Sequence, residues 1–195
     1  SELDEMRPLL PSRLVSAILR AGQLMPREQY AQILEAALPE LKEMASPPGG
    51  GRQPVLVSGA VLESDGLFEM IEELGGRVAA DDTCTGYRHY AGVPVSGAAD
   101  PLEAIVRRYS EMPPCPCRNR GLEERAEYLE RLARSRKVRG AVIVIRKYCE
   151  PHAWDAVPVA HRLRTGGMKV LVLELEGSEV GGQERTRLQA FLESL

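Results

Sequence analysis

Residues 138–149 read Val-Arg-Gly-Ala-Val-Ile-Val-Ile-Arg-Lys-Tyr-Cys. From Val138 to Ile145 the run is β-branched almost throughout, which is how a strand buried on both faces of a parallel sheet reads. Ala153 to Thr165 then has helical composition and stops at Gly166-Gly167. Lys169 to Leu175 is a second strand, and Gly182 to Leu195 a closing helix. Upstream, Leu122, Ala126, Leu129, Leu132 and Ala133 place a helix over 123–136. Pro54-Val-Leu-Val-Ser58 is a short buried strand, and Asp65 is placed to cap a helix that runs to Leu74 and ends at Gly75-Gly76. Arg77-Val-Ala-Ala-Asp81 is another strand. Four strands, expected near 54–58, 77–81, 139–145 and 169–175, alternate with helices. That alternation predicts an α/β fold: a small flavodoxin-like (Rossmann-like) parallel sheet with helices on both faces. Right-handed crossovers make strand order 2-1-3-4 the most economical.

Residues 12–45 are helical by their three- and four-residue spacing of Leu14, Ile18, Leu24, Ile33, Leu34, Leu38 and Leu41, with Ser12 as N-cap and a break at Met25-Pro26. Ser46-Pro-Pro-Gly-Gly-Gly-Arg52 has linker composition. The expected organisation is a helical arm over 1–46, a linker over 47–53 and an α/β domain over 54–195.

The 195 residues suit one domain with an appendage, and 44% apolar with 27% charged residues is ordinary globular composition. The net charge of -3 and 5% aromatics give neither a cationic field nor a stacking surface, which argues against nucleic acid as a partner. No stretch approaches the ~18–20 apolar residues of a membrane span. Ser1 to Pro11 is acidic without a signal-peptide core, and Ser1 is not an initiator Met, as expected of a fragment. Four cysteines without an export signal point to a reducing, cytoplasmic compartment, with free thiols, metal ligands or redox groups rather than structural disulfides.

In an open parallel sheet, ligands sit at the carboxyl ends of the strands. Here those ends carry Ser58-Gly59, Asp81-Asp-Thr-Cys84, Lys147-Tyr-Cys149-Glu-Pro-His152 and Glu174-Leu-Glu176-Gly-Ser178. Cys115-Pro-Cys117 precedes a helix whose N-terminus lies on the same side, so all four cysteines are expected along one edge. Each has a plainer reading. Cys84 alone suits core packing. C-x-C without a second pair is a weak metal knuckle. His152 suits a helix start, and it is nine residues from His161 and off its face. Asp81-Asp82 could hold a cation or cap a turn. No Walker loop, dinucleotide-binding glycine motif or nucleophile elbow is present.

Asp81-Asp-Thr-Cys-Thr-Gly-Tyr-Arg88, Arg125 with Tyr128 and Leu129, Lys147-Tyr-Cys-Glu-Pro-His152, Val170-Leu-Val-Leu-Glu-Leu-Glu176 and Gly182-Gln-Glu-Arg-Thr-Arg-Leu-Gln-Ala-Phe191 form an ordered set. Over most of 54–195 it resembles the 2-hydroxyglutaryl-CoA dehydratase and benzoyl-CoA reductase subunit family, in its C-terminal half. The resemblance implies an oxygen-sensitive iron–sulfur subunit acting on an acyl-CoA. It pairs with a related subunit, and an ATP-dependent iron–sulfur activator protein feeds it one electron. For the 2-hydroxyacyl-CoA dehydratases the implied reaction is elimination of water through a ketyl radical, a lyase reaction. The aromatic acyl-CoA (benzoyl-CoA type) reductases are the alternative, and a local thiol metal site or a non-catalytic acyl-CoA-binding module stand outside the family. The resemblance further implies a [4Fe-4S] cluster with three cysteine ligands, of which only Cys149 falls in this chain. Cys84, Asp81 and Lys147 are expected beside it. The cluster is therefore expected in the intact subunit and not in this fragment, which is expected to be inactive alone. The arm is expected to bridge the two halves of the subunit.

Overall fold

The computed structural model describes residues 2–46, 51–92, 100–118, 121–177 and 179–195. The linker residues 47–50 and Ser178, named above at the end of the fourth strand, lie outside the described residues. The elements are helices α1 (Glu2–Met6), α2 (Ser12–Leu24) and α3 (Arg27–Met44), then β1 (Gln53–Gly59), α4 (Gly66–Glu73), β2 (Gly76–Thr83), α5 (Pro101–Ser110), α6 (Leu122–Ser135), β3 (Gly140–Arg146), α7 (Glu150–Thr165), β4 (Lys169–Leu175) and α8 (Gly182–Glu193). Short 3-10 turns occupy Arg7–Leu9, Tyr87–His89 and Pro116–Arg118.

The sheet has order β2-β1-β3-β4 and every pairing is parallel. Alternation along the strands sorts the core into two layers. Val55, Val57, Val78, Val142, Val144, Leu173 and Leu175 pack under α4 and α8 through Leu67, Phe68, Ile71, Leu188, Phe191 and Leu192. Leu56, Ala80, Ala141 and Ile143 face α6 and α7 through Ala126, Leu129, Ala133, Ala156, Val159, Ala160 and Leu163.

β2 is longer than its apolar letters predict. It continues through Asp82 and Thr83, and an extra residue slips into the β1–β2 ladder, where Val55 pairs with Val78 but Leu56 with Ala80. The acidic pair thus belongs to the strand, with Ser58 opposite Asp82 and Gly59 opposite Thr83. α5 was not legible in the sequence reading. It starts on Asp100, whose carboxylate accepts the Leu102 N–H at 2.9 Å, with Pro101 in the first turn.

The arm has its own core of Leu3, Leu10, Val15, Leu19 and Leu41. Ser12 does not cap α2, since Pro11 occupies that position. Instead the Ser12 N–H and Oγ both donate to Glu72 Oε1 at 2.9 Å, and Ser12 Oγ accepts the Val78 N–H at 3.1 Å. An edge-strand donor of β2 is thereby satisfied by the arm. Asp65 likewise precedes α4 without capping it by its side chain, its carboxylate being taken by Arg20 at 2.7 Å. Arg7 is fully buried, 3.2 Å from Asp4 and 3.6 Å from Asp81.

Candidate functional site

α7 begins directly after β3, so Cys149 is the N-cap residue of α7 at the carboxyl end of that strand. Tyr148 before it has φ +66°, a left-handed conformation that costs an aromatic residue on the order of 1 kcal/mol. That turn lets the Cys149 N–H bond back to Arg146 O at 2.9 Å while its carbonyl accepts the Ala153 N–H at 3.1 Å. The Cys149 side chain is half-buried and Tyr148 is exposed.

The other thiols come from two loops. Cys84 follows β2, held by its N–H to Ala60 O at 3.4 Å. Cys115 precedes and Cys117 lies within the 3-10 turn before α6, and Pro114, two residues ahead of that turn, accepts a hydrogen bond from Arg125 Nη1 at 2.8 Å. The Cys84 and Cys115 thiols influence each other: Cys115, and then burial, push the Cys84 thiol up. Cys84 in turn pulls the Cys115 thiol down against its own burial, with Arg88 helping. Burial raises Cys117, and the neighbouring sulfurs of Cys115 and Cys149 raise it further. Cys84, Cys115 and Cys117 are thus within electrostatic range of one another, and Cys149 within that of Cys117. His152 joins them, its Nε2 3.6 Å from Cys84 Sγ. Burial, then Arg88 and Arg125, push His152 down to about 4, so its ring is neutral near pH 7.

Beneath the thiols sits a buried ion network. Arg125 Nε donates to Asp155 Oδ2 at 2.9 Å, and its Nη2 to Asp82 Oδ2 at 2.5 Å and Ser58 Oγ at 3.1 Å. Ser58 Oγ donates to the same Asp82 oxygen at 2.9 Å. Arg88 sits 3.2 Å from Asp82 Oδ1 and donates through Nη2 to Gly59 O at 2.7 Å and to Asp82 O. β1, β2, α6, α7 and the cysteine loop thus meet on two guanidinium groups. Two glycines permit the close approach. A Cβ on Gly59, where φ is +151°, would meet Val144 O at 2.1 Å, and one on Gly86 would meet Asp81 Oδ2 at 2.0 Å.

Of the residues singled out from the sequence, Cys84 and Cys149 lie on this edge. Asp81 is turned away: its carboxylate accepts the Thr83 N–H at 2.8 Å and the Tyr87 N–H at 3.4 Å and faces Arg7 of the arm. Lys147 points to the surface, paired with Glu176, its ammonium 5.5 Å from the Tyr148 ring. Arg88, Arg125, His152 and Asp155 carry more of the site than the sequence reading assigned to them. The signal was register. Arg125 falls on the Leu122-Ala126-Leu129-Ala133 stripe, and His152 and Asp155 on the Ala156-Val159-Leu163 stripe, where ionisable groups must be paired.

Thiolate is the ligand type an iron–sulfur cluster requires, and a strand-end loop suits it. Among the described residues no three His, Cys, Asp or Glu side chains are arranged to hold a metal ion. Cys149, a half-buried thiol at a strand end, is of that ligand type. No described helix is long and apolar enough to cross a membrane.

A family model described as "2-hydroxyglutaryl-CoA dehydratase, D-component" matches residues 1–195. Lactoyl-CoA dehydratase subunit beta of Anaerotignum propionicum is 25% identical over 92% of this chain and 48% of its own length. The (R)-phenyllactyl-CoA dehydratase beta subunit of Clostridium sporogenes is 21% identical over 91% and 47%. The (R)-2-hydroxyglutaryl-CoA dehydratase subunit beta of Acidaminococcus fermentans is 26% identical over 98% and 52%. The chain spans about half the length of these curated relatives.

Proposed function

This chain belongs to the 2-hydroxyglutaryl-CoA dehydratase D-component family, and on that premise we propose that it forms the cluster-facing half of a 2-hydroxyacyl-CoA dehydratase subunit. Cys149 contributes one thiolate to a [4Fe-4S] cluster whose remaining ligands come from outside these 195 residues. When bound, such a cluster supplies single-electron transfer to the thioester carbonyl of the acyl-CoA. The observation that carries the reading is the placement of Cys149: a half-buried thiol at the carboxyl end of β3, at the start of α7 and turned by the left-handed Tyr148. The chain's own residues hold this edge in shape, with Arg125 and Arg88 pinning the loops that present the sulfurs. A related subunit is the proposed partner, and an ATP-dependent activator the proposed electron donor.

Anaerobic reconstitution with iron and sulfide tests the assignment. The 195-residue chain alone is expected to gain no stoichiometric charge-transfer absorption and no turnover. A subunit extended to the length of the relatives is expected to gain both, and to lose both on Cys149→Ala with its circular dichroism unchanged. Full iron content in that variant would overturn the ligand assignment. The competing reading is a local thiol metal site built from the chain's own four cysteines. A stoichiometric cluster on the short chain would promote it.

A further inference from the structure

Between the arm and the 3-10 turn after β2 lies a cavity of about 240 Å³. Its walls are chiefly apolar, formed by Leu3, Leu19 and Leu34 and by Tyr30, Tyr87 and Tyr90. Arg7 lines it too. The Arg7 side chain is fully buried, and its Nη1 and Nη2 have no hydrogen-bond partner among the described residues. The acids around it are already engaged. Asp4 takes Arg7 Nε on Oδ1 at 3.2 Å and Arg136 on Oδ2. Asp81 accepts the Thr83 N–H at 2.8 Å and the Tyr87 N–H at 3.4 Å, and its Oδ2 stays 3.6 Å from Arg7 Nη1, beyond hydrogen-bond reach. The turn that carries Arg7 is tied in place: Arg77 Nη1 donates to Pro8 O, and the Ser46 N–H donates to Leu9 O at 3.2 Å. Tyr90 is likewise fixed, its hydroxyl donating to Leu19 O at 2.6 Å. A buried donor without an acceptor is costly, and folded proteins satisfy it with protein, water or ligand. Here the donor fork of a guanidinium borders an apolar hollow, and the cluster reading gives it no task.

We propose that this cavity binds a small monocarboxylate with an apolar body, its carboxylate taken by Arg7 and its body by the leucines and tyrosines. Nη1 and Nη2 of one guanidinium are spaced for the two oxygens of a carboxylate, a charge-assisted pairing that an alcohol does not reproduce. The volume sets the size. A dry cavity of about 150 Å³ holds a six-carbon ring, so this larger one suits a molecule of about eight non-hydrogen atoms. A dicarboxylate is disfavoured, because the other charged group on the lining, Asp4, is itself an acid. Entry is past α3, which carries Tyr30 and Leu34 and of which only Leu41 is buried. The proposal is independent of the cluster reading, because it uses no cysteine and no iron.

The test titrates the isotope-labelled 195-residue chain with sodium hexanoate and follows backbone amide shifts by NMR. Saturable shifts centred on residues 3–10, 30–34 and 87–90 are expected, with a dissociation constant of about 1 mM or tighter, the affinity that about eight non-hydrogen atoms support. Hexan-1-ol, which lacks the carboxylate, and adipate, which adds a second, are each expected to bind at least about tenfold more weakly. Leu34→Trp fills the hollow and leaves Arg7 in place. It is expected to weaken hexanoate binding at least about tenfold with circular dichroism unchanged. Arg7→Lys keeps the charge but loses the fork, and a loss of about tenfold is expected in the variant that circular dichroism shows to be folded. Shifts that never saturate, or that centre elsewhere, would mean a hollow filled by water only and overturn the site. Equal affinity for hexan-1-ol or adipate would overturn the pairing of a carboxylate with Arg7. Undiminished binding in a folded Leu34→Trp would overturn the cavity as its seat.

Discussion

Replacing Arg125 by Met removes the centre of the buried ion network while keeping much of the side-chain volume. Arg125 makes four hydrogen bonds, to Asp155, Pro114 O, Ser58 and Asp82. The two carboxylates then lose unequal amounts. Asp82 keeps the Ser58 hydroxyl and the Arg88 guanidinium at 3.2 Å. Asp155 is 4% exposed, its Oδ1 already has no hydrogen-bond partner, and Arg125 was the cation on its other oxygen. Breaking a buried pair by deleting one partner costs about 3–5 kcal/mol, chiefly as an uncompensated buried charge. For a chain of this size that corresponds to a melting shift of roughly 6–20 °C, at about 2–4 °C per kcal/mol. Urea unfolding followed by circular dichroism is the assay, with the slope unchanged and the midpoint lowered. Adding Asp155→Asn to Arg125→Met is expected to recover more stability than adding Asp82→Asn, because Asp155 is the carboxylate left unpaired. A loss below about 1 kcal/mol in the single variant, or no recovery with Asp155→Asn, would refute the assignment of Arg125 as the compensating charge.

Three further outcomes are expected. The His152 ring is held from its ordinary 6.5 down to about 4, so its stabilising contribution is complete above pH 6.5 and lost as pH falls through 4. This amounts to at most about 3 kcal/mol. Asp155, raised by burial against the pull of Arg125, works in the opposite direction, so the readout is the difference between wild type and His152→Gln, whose urea midpoints should converge towards pH 4. Ser12→Ala strands the Val78 N–H and removes one of the two hydrogen bonds on Glu72 Oε1, for an expected loss of about 1–3 kcal/mol with the sheet intact, and an unchanged midpoint would show that the arm does not depend on this tether. Gly59→Ala drives a Cβ into the Val144 carbonyl at a backbone angle of +151°, and a loss of at least about 3 kcal/mol is expected; a melting temperature near wild type would contradict the close β1–β3 approach.

The sheet was legible because its inner strands β1 and β3 are largely buried and so spell themselves in Val, Leu and Ile, with glycines following α4 and α7. β4 is observed over the residues read from the sequence, and β3 within one residue at either end. β2 was cut short because Asp81, Asp82 and Thr83 look like loop, whereas in the fold Arg88 and Arg125 neutralise Asp82 and Arg7 faces Asp81, which lets the strand continue. The compensating charges are 6, 43 and 74 residues away in sequence, a separation that local pattern cannot bridge. Ser12 misled for a related reason. Its hydroxyl suits a helix cap, yet the edge strand offered a buried donor, and satisfying that donor took precedence over satisfying the helix end.

The placement of the four sulfurs follows from the same long-range pairing. Parallel topology sends β2 and β3 out on one side, which is why Cys84 and Cys149 share an edge. Topology alone does not bring in Cys115 and Cys117, whose loop carries three prolines between 113 and 116 and no strand. What anchors that loop is Arg125 Nη1 on Pro114 O, and Arg125 is itself oriented by Asp155 on α7 and Asp82 on β2, elements that also carry or adjoin Cys149 and Cys84. One guanidinium therefore fixes the distance from the loop cysteines to both strand-end cysteines. This makes a separable forecast for Arg125→Met at temperatures where the variant remains folded: Cys115 and Cys117 should label faster with iodoacetamide, because the loop has lost its anchor. Unchanged labelling rates in a folded Arg125→Met would mean that the cysteine loop is held by its own contacts, and that the ion network beneath it serves stability alone.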